Sequence, residues 1–190
     1  EREDKTQAFL EMCEDKVREV AAELKEETGI SVDYLEQLYT FGLPERDPRG
    51  RVVSIAYYGM VRKSDFQLQA SSDADDAQWF PWGELPNLSF DHKEIIEIAI
   101  NRLKSKVQYE PVGFNLLDEK FTLTELRELY ETILDEKLDR RNFNKKILQL
   151  GILVDLNEQI IKGKGRPTTR YIFDKKKYRE SKDKGINFSI

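Results

Sequence analysis

The sequence predicts an α+β chain of two modules, residues 1–109 and 110–190, on three observations. Helically spaced apolar stripes alternate with β-branched and aromatic runs. The composition breaks at Glu110-Pro111-Val112-Gly113-Phe114. The charge splits at the same place: residues 1–110 hold 14 Lys+Arg against 23 Asp+Glu, and residues 111–190 hold 17 against 13. Within 137–182 the balance is 14 basic to 5 acidic. An acidic front and a basic back point to different partners, the back one meeting a polyanion.

The bulk composition excludes several classes. At 190 residues the chain suits one large domain or two small ones. One cysteine and one histidine permit neither an internal disulfide nor a zinc site. No apolar run nears the roughly 20 residues that span a bilayer, and no secretory leader precedes the first helix. The expectation is therefore a cytoplasmic protein with no membrane partner. Eight Tyr, ten Phe and two Trp are too many for a disordered chain.

In the front module, Val17, Val20, Ala21 and Leu24 share one face of a helix predicted over Glu14–Thr28, stopped by Gly29. Strands follow at Tyr34–Gly42 and Val52–Arg62, separated by a loop with two prolines and a glycine. Trp79-Phe80-Pro81-Trp82 reads as a short strand whose tryptophans pack the core. Asp91 caps a second helix with Glu94 at the capping-box position, and Ile95, Ile96, Ala99 and Leu103 form its inward stripe. His92 at that helix start reads as structural, and Cys13 has no base near it in sequence.

The chemistry-bearing stretch is Glu14, then Ala22-Glu23-Leu24-Lys25-Glu26-Glu27-Thr28-Gly29-Ile30. Glu23 and Glu27 are four apart, so both carboxylates leave one helix face, a suitable pair for Mg²⁺ on a diphosphate. The pattern resembles the Nudix box, with two departures: Ala8 stands for its first glycine and Ala22 for its arginine. In that family the arginine pairs with the middle glutamate, here Glu26. Its loss leaves three carboxylates crowded on one turn and implies a degenerate hydrolase. Any metal would sit at Glu23 and Glu27, and no cofactor is required unless hydrolysis survives with Mg²⁺. The resemblance also implies an α/β/α sandwich whose strands precede the box. Only seven residues precede Ala8, so those strands are expected to be missing from the sequence, either trimmed from its start or skipped between Gln7 and Ala8.

In the back module, Thr122 and Glu125 make a capping box that opens a helix striped by Leu126, Leu129, Tyr130 and Ile133. Asp139 starts another, with Phe143, Ile147 and Leu150 inward and Gly151 closing it. Strands at Ile152–Leu156 and Tyr171–Phe173 flank a loop holding Lys162-Gly163-Lys164-Gly165-Arg166-Pro167. Two helices and a hairpin with a basic tip are the order of a winged helix-turn-helix. Arg140, Arg141, Asn142, Asn144, Lys145 and Lys146 then face a major groove, where Arg and Asn read base edges. Lys162, Lys164 and Arg166 would supply the wing's charge.

Residues 34–42, Arg46 to Tyr58 and Leu88-Ser89-Phe90-Asp91-His92, with the Gly-Arg-Pro wing, resemble the Nudix-related transcriptional regulators called NrtR. The resemblance implies a homodimeric repressor on a palindromic operator, controlling NAD or sugar metabolism. It also implies a front domain that binds ADP-ribose or a related sugar metabolite. Arg46, Arg49 and Arg51 are the candidates for its phosphates; their spacing alone would equally suit a solvent-exposed turn. An active Mg-dependent ADP-ribose pyrophosphatase stays open as the alternative, supported by the four glutamates and by Pro44.

Overall fold

The computed structural model describes residues 2–32, 34–62, 78–161, 166–183 and 188, with side chains from residue 15 onward. It divides into two compact units, residues 1–99 and 100–190. Helix α1 runs Arg2–Thr28, well ahead of the expected start at Glu14. Residues 2–13 are mostly good helix formers, which extends the helix backwards. The helix includes Gln7 and Ala8. Its end closes where the Gly29 N–H donates to the Lys25 carbonyl at 2.9 Å. Beyond it Ile30 is buried.

Strands β1 (Leu35–Phe41) and β2 (Ser54–Gly59) pair antiparallel, from Leu35 opposite Gly59 to Phe41 opposite Ser54, with a bulge between Gln37 and Tyr39. Leu38 is their buried member. The expected strand at Trp79–Trp82 does not form. Pro81 has no N–H for a ladder, and the chain turns there, the Glu84 N–H donating to the Pro81 carbonyl at 2.9 Å. Trp79 and Trp82 are 38% and 43% exposed, so they do not pack a core in this unit. Helix α2 (His92–Tyr109) spans the division between the units. Its stripe of Ile95, Ile96, Ala99 and Leu103 is half-buried, and Val107 is fully buried.

In the second unit the expected linker is core. Pro111–Leu116 is a 3₁₀ turn with Val112, Gly113 and Phe114 buried. Phe114 stacks on Phe173 with centroids 4.4 Å apart. A Cβ at Gly113 would sit 3.3 Å from the Tyr130 ring, a tight contact that would push the ring by a few tenths of an ångström. The three-stranded sheet runs β3 (Phe121–Thr122), β5 (Thr168–Phe173), β4 (Leu153–Ile160), all antiparallel. Helix α3 (Leu123–Leu134) starts on the predicted capping box: the Thr122 hydroxyl accepts from the Glu125 N–H at 3.2 Å, and Glu125 accepts from the Thr122 N–H at 2.8 Å. Leu126, Tyr130 and Ile133 are buried from its stripe. Helix α4 (Arg140–Gln149) is capped by Asp139, which accepts from the Asn142 N–H at 2.8 Å. Phe143 and Ile147 bury its inner face, Phe143 meeting Tyr130 edge-on at 5.5 Å. Gly151 then reverses the chain at φ 66°. A last helix, α5 (Lys175–Asp183), follows β5 and was not expected from the sequence.

Thr122 is 3% exposed and serves both as cap and as last residue of β3. Thr122→Ala should therefore destabilise the second unit by about 1–2 kcal/mol, read as a lower urea midpoint with an unchanged slope.

Candidate nucleic-acid interface and effector site

The second unit presents its predicted DNA residues from a braced frame. Glu131, 8% exposed, accepts from the Arg127 side chain, from Lys137 at 3.0 Å and from the Leu138 N–H at 3.0 Å. The Leu138 N–H and the Lys137 ammonium hold its carboxyl below the usual glutamate range. The carboxylate thus ties α3 to the turn before α4, a turn that uses Asp135 in the left-handed conformation at φ 60°. Nothing in the one-dimensional pattern distinguished Glu131 from a solvent-facing glutamate.

On this frame Arg140, Asn144 and Arg166 line one cleft of about 330 Å³ with Thr124, Thr168 and Tyr171. Arg140, Arg141, Asn142, Lys145 and Lys146 are exposed, Asn144 half-buried and Arg166 exposed. None of these arginines and lysines makes an ion pair with a described residue. Lys162 and Lys164 lie outside the described residues. The first turn of α4 and the foot of the wing therefore offer unneutralised charge to one concave surface, which suits phosphate and base-edge contacts.

The wing is anchored by a cluster that the sequence did not advertise. Glu158 on β4 meets Lys120 at 2.8 Å and Arg170 on β5 at 3.8 Å, and Arg170 also donates to the Lys120 carbonyl at 3.1 Å. β4 is irregular between Asp155 and Gln159, where Asn157 takes φ 53°. Glu158 thereby consumes two cations that a count of charge would have given to DNA.

In the first unit the three candidate arginines part company. Arg46 donates to both carboxylate oxygens of Asp91, at 2.7 and 2.8 Å, and to the Ser54 hydroxyl at 2.6 Å. Its side chain is 5% exposed. Arg49 pairs with Asp47 at 2.7 Å while its guanidinium lies 4.9 Å over the Phe90 ring. Arg49 holds the buried Asp47 carboxyl down to about 2. Arg51 is exposed. Arg46, Arg49, Val52, Phe90 and His92 surround a cavity of about 130 Å³. Asp91 spends its carboxylate on Arg46 rather than on the expected helix cap. That bond joins the Arg46–Gly50 loop to the Phe90-Asp91-His92 stretch. The price of the join is that three of the five Arg46 donors are no longer open to a phosphate.

Glu23, Glu26 and Glu27 are all exposed on α1, and the Glu14 side chain lies outside the description. Among the described residues no three His, Cys, Asp or Glu converge as metal ligands.

Two family descriptions match the chain, the NUDIX domain over residues 10–98 and the NrtR DNA-binding winged helix domain over residues 113–173. An ADPR responsive transcriptional repressor of Acinetobacter baylyi is 33% identical over 152 residues, 79% of this chain and 60% of that protein. An ADP-ribose pyrophosphatase of Methanocaldococcus jannaschii is 38% identical over 89 residues, 47% of this chain and 52% of that enzyme. The chain thus spans between half and two thirds of the length of these relatives. Shewanella oneidensis NrtR aligns in its crystal structures alone and with a 27mer DNA, both at TM-score 0.68. The identities are 32% and 31%, covering 80% of this chain and 70% of that one. Fold and matches together define a two-module protein, a Nudix domain followed by a winged helix. The chain belongs to the NrtR family.

Arg46 holds the Asp91 carboxyl below the usual range, so the stability it lends is present above the ordinary aspartate value and lost as pH falls through the lowered one. Asp91→Asn should accordingly lower the thermal midpoint at pH 7. Its gap from the wild type should close on titration below about pH 4, as followed by circular dichroism.

Proposed function

We propose that this protein is a DNA-binding transcriptional repressor whose degenerate Nudix module takes ADP-ribose or a related sugar metabolite as effector. The observation that carries the reading is the convergence of Arg140, Asn144 and Arg166 on one cleft, with neither arginine in an ion pair among the described residues. The name of the Acinetobacter relative supports the effector class, and the DNA complex of the Shewanella protein supports the partner. A homodimer on a palindromic operator would set two α4 helices about 34–36 Å apart, or a multiple of that. The working compartment is the cytoplasm, where DNA and a nucleotide-sugar meet. Among the described residues no helix is long and apolar enough to cross a membrane. Ligand releases the operator only if it binds the two states with different affinity.

No cofactor is required for this role. Glu23 and Glu27 would hold Mg²⁺ only if hydrolysis persists, and their exposure together with Ala22 speaks against it. The pyrophosphatase reading keeps one specific support, the Methanocaldococcus relative over the front module. Incubation with ADP-ribose and Mg²⁺ separates the two: turnover abolished by Glu27→Gln would establish the enzyme, and its absence with retained binding would establish the sensor.

Replacing Arg140, Arg141 and Arg166 by Gln together should erase footprinting of the operator while ADP-ribose still raises the melting temperature of the variant. In the wild type, saturating ADP-ribose should weaken operator binding about 5–150-fold, measured by anisotropy. Unchanged operator affinity would exclude ADP-ribose as the effector.

A further inference from the structure

The winged helix match ends at Phe173, and α5 begins two residues later with a job still unassigned. Its five cations fall into two sets. Lys176 reaches Glu180 at 4.0 Å and Lys177 reaches Asp174 at 3.8 Å. Lys175, Arg179 and Lys182 stand at i, i+4 and i+7, hence on one helix face, and pair with no described carboxylate. Those same three line a groove of about 360 Å³ whose floor includes Phe173 and Tyr178. The one acid at its edge, Glu110, is already met by Lys106 at 3.5 Å. The groove is therefore a concave surface with uncompensated positive charge and an aromatic base.

We infer that this groove is a second, sequence-independent contact for the sugar-phosphate backbone of duplex DNA. At 1.5 Å of rise per residue the three cations span roughly 10 Å, about the axial length of three phosphates on one strand. Two of the three, Lys175 and Lys182, are ammonium groups on flexible stems that deliver point charge without reading bases, which suits a contact blind to sequence. The groove sits at the end of the β4–β5 ladder where Leu153 faces Phe173, whereas the wing tip follows the other end, where Ile160 faces Thr168. Five residues of strand put these ends roughly 17 Å apart. The α5 groove is thus a site apart from the wing tip, and the contact inferred for it is with DNA that flanks the operator rather than with the bases read from α4. The inference rests on the DNA-binding reading above, and a single titration separates their fates.

The test compares the full chain with a K175Q/R179Q/K182Q variant on a duplex of about 60 base pairs containing the operator, binding being measured against salt concentration. Each phosphate contact adds about 0.9 to the slope of log K against log salt, so the variant should be shallower by about 2–3. Equal slopes would overturn the inference. A K175R/K182R variant should keep the wild-type slope, and a loss of slope there would also overturn it, because charge rather than lysine geometry is claimed. Melting curves of both variants should overlay the wild type, as the side chains are exposed. If Arg140→Gln with Arg166→Gln flattens the slope and the α5 variant does not, only the α5 contact fails. If the wild type binds no duplex at all, the repressor reading falls with it.

Discussion

Glu131 lies at the end of α3, nearly out of solvent, and answers three donors from Arg127, Lys137 and the Leu138 backbone. One carboxylate therefore closes the turn that leads to Asp139, the cap of α4. A carboxylate buried without such partners would be strongly unfavourable, and removing one partner of a buried pair is more damaging than never having had it. The turn consequently has one well-satisfied arrangement. Arg140 and Asn144 inherit their place from it, since the helix that carries them starts at the next residue but one. The arginines and lysines that would meet DNA are exposed, so their common direction has to come from the frame behind them.

The same logic of pairing sorts the positive charges of the whole chain. Arg46 and Arg49 are answered by Asp91 and Asp47, Arg127 and Lys137 by Glu131, and Lys120 and Arg170 by Glu158. The Asp91, Lys137 and Glu158 pairs join separate segments, whereas Arg49–Asp47 lies within one loop and Arg127–Glu131 within α3. The cations of the α4 face and Arg166 are left without such answers among the described residues. A guanidinium already held along one edge by both oxygens of a carboxylate has less left to offer a phosphate, because breaking that pair would return most of what the new one gains. Structural and recognition arginines are thus told apart by their partners. Their number and spacing do not separate them.

That distinction explains what the sequence made legible. The winged helix was readable because its signals are local: Thr122 with Glu125, Asp139 before an apolar stripe, Gly151 at a helix end. The Nudix resemblance was readable because Glu23, Glu27 and Gly29 keep their spacing despite Ala8 and Ala22. The roles of Arg46 and Asp91 were not readable, since 45 residues separate two groups that meet at 2.7 Å. Trp79 and Trp82 misled because large apolar side chains suggest burial, while Pro81 between them breaks the ladder that would bury them. The linker at 110–114 misled for the converse reason. Proline and glycine usually mark a surface break, yet here Gly113 is small enough to sit against Tyr130. Helix α5 escaped notice because its run of lysines resembles a solvated tail until the partners of each are known.

An overall charge of −5 does not argue against a DNA partner once range is considered. At physiological salt the Debye length is about 8 Å, so a carboxylate farther than that from a phosphate is largely hidden from it. What a bound duplex feels is the charge of the nearest side chains, and residues 137–182 hold 14 basic against 5 acidic groups. Two of those basic groups, Lys137 and Arg170, are spent internally on Glu131 and Glu158, yet the exposed face of α4 keeps four cations and the wing foot a fifth. Binding strength therefore follows a local surplus. Long-range attraction during approach follows the total, which is negative and weakly repulsive. A DNA-binding surface built this way would gain its grip only at close contact, where shape and base edges are also tested, and would be spared the indiscriminate hold that a uniformly basic chain has on every stretch of DNA.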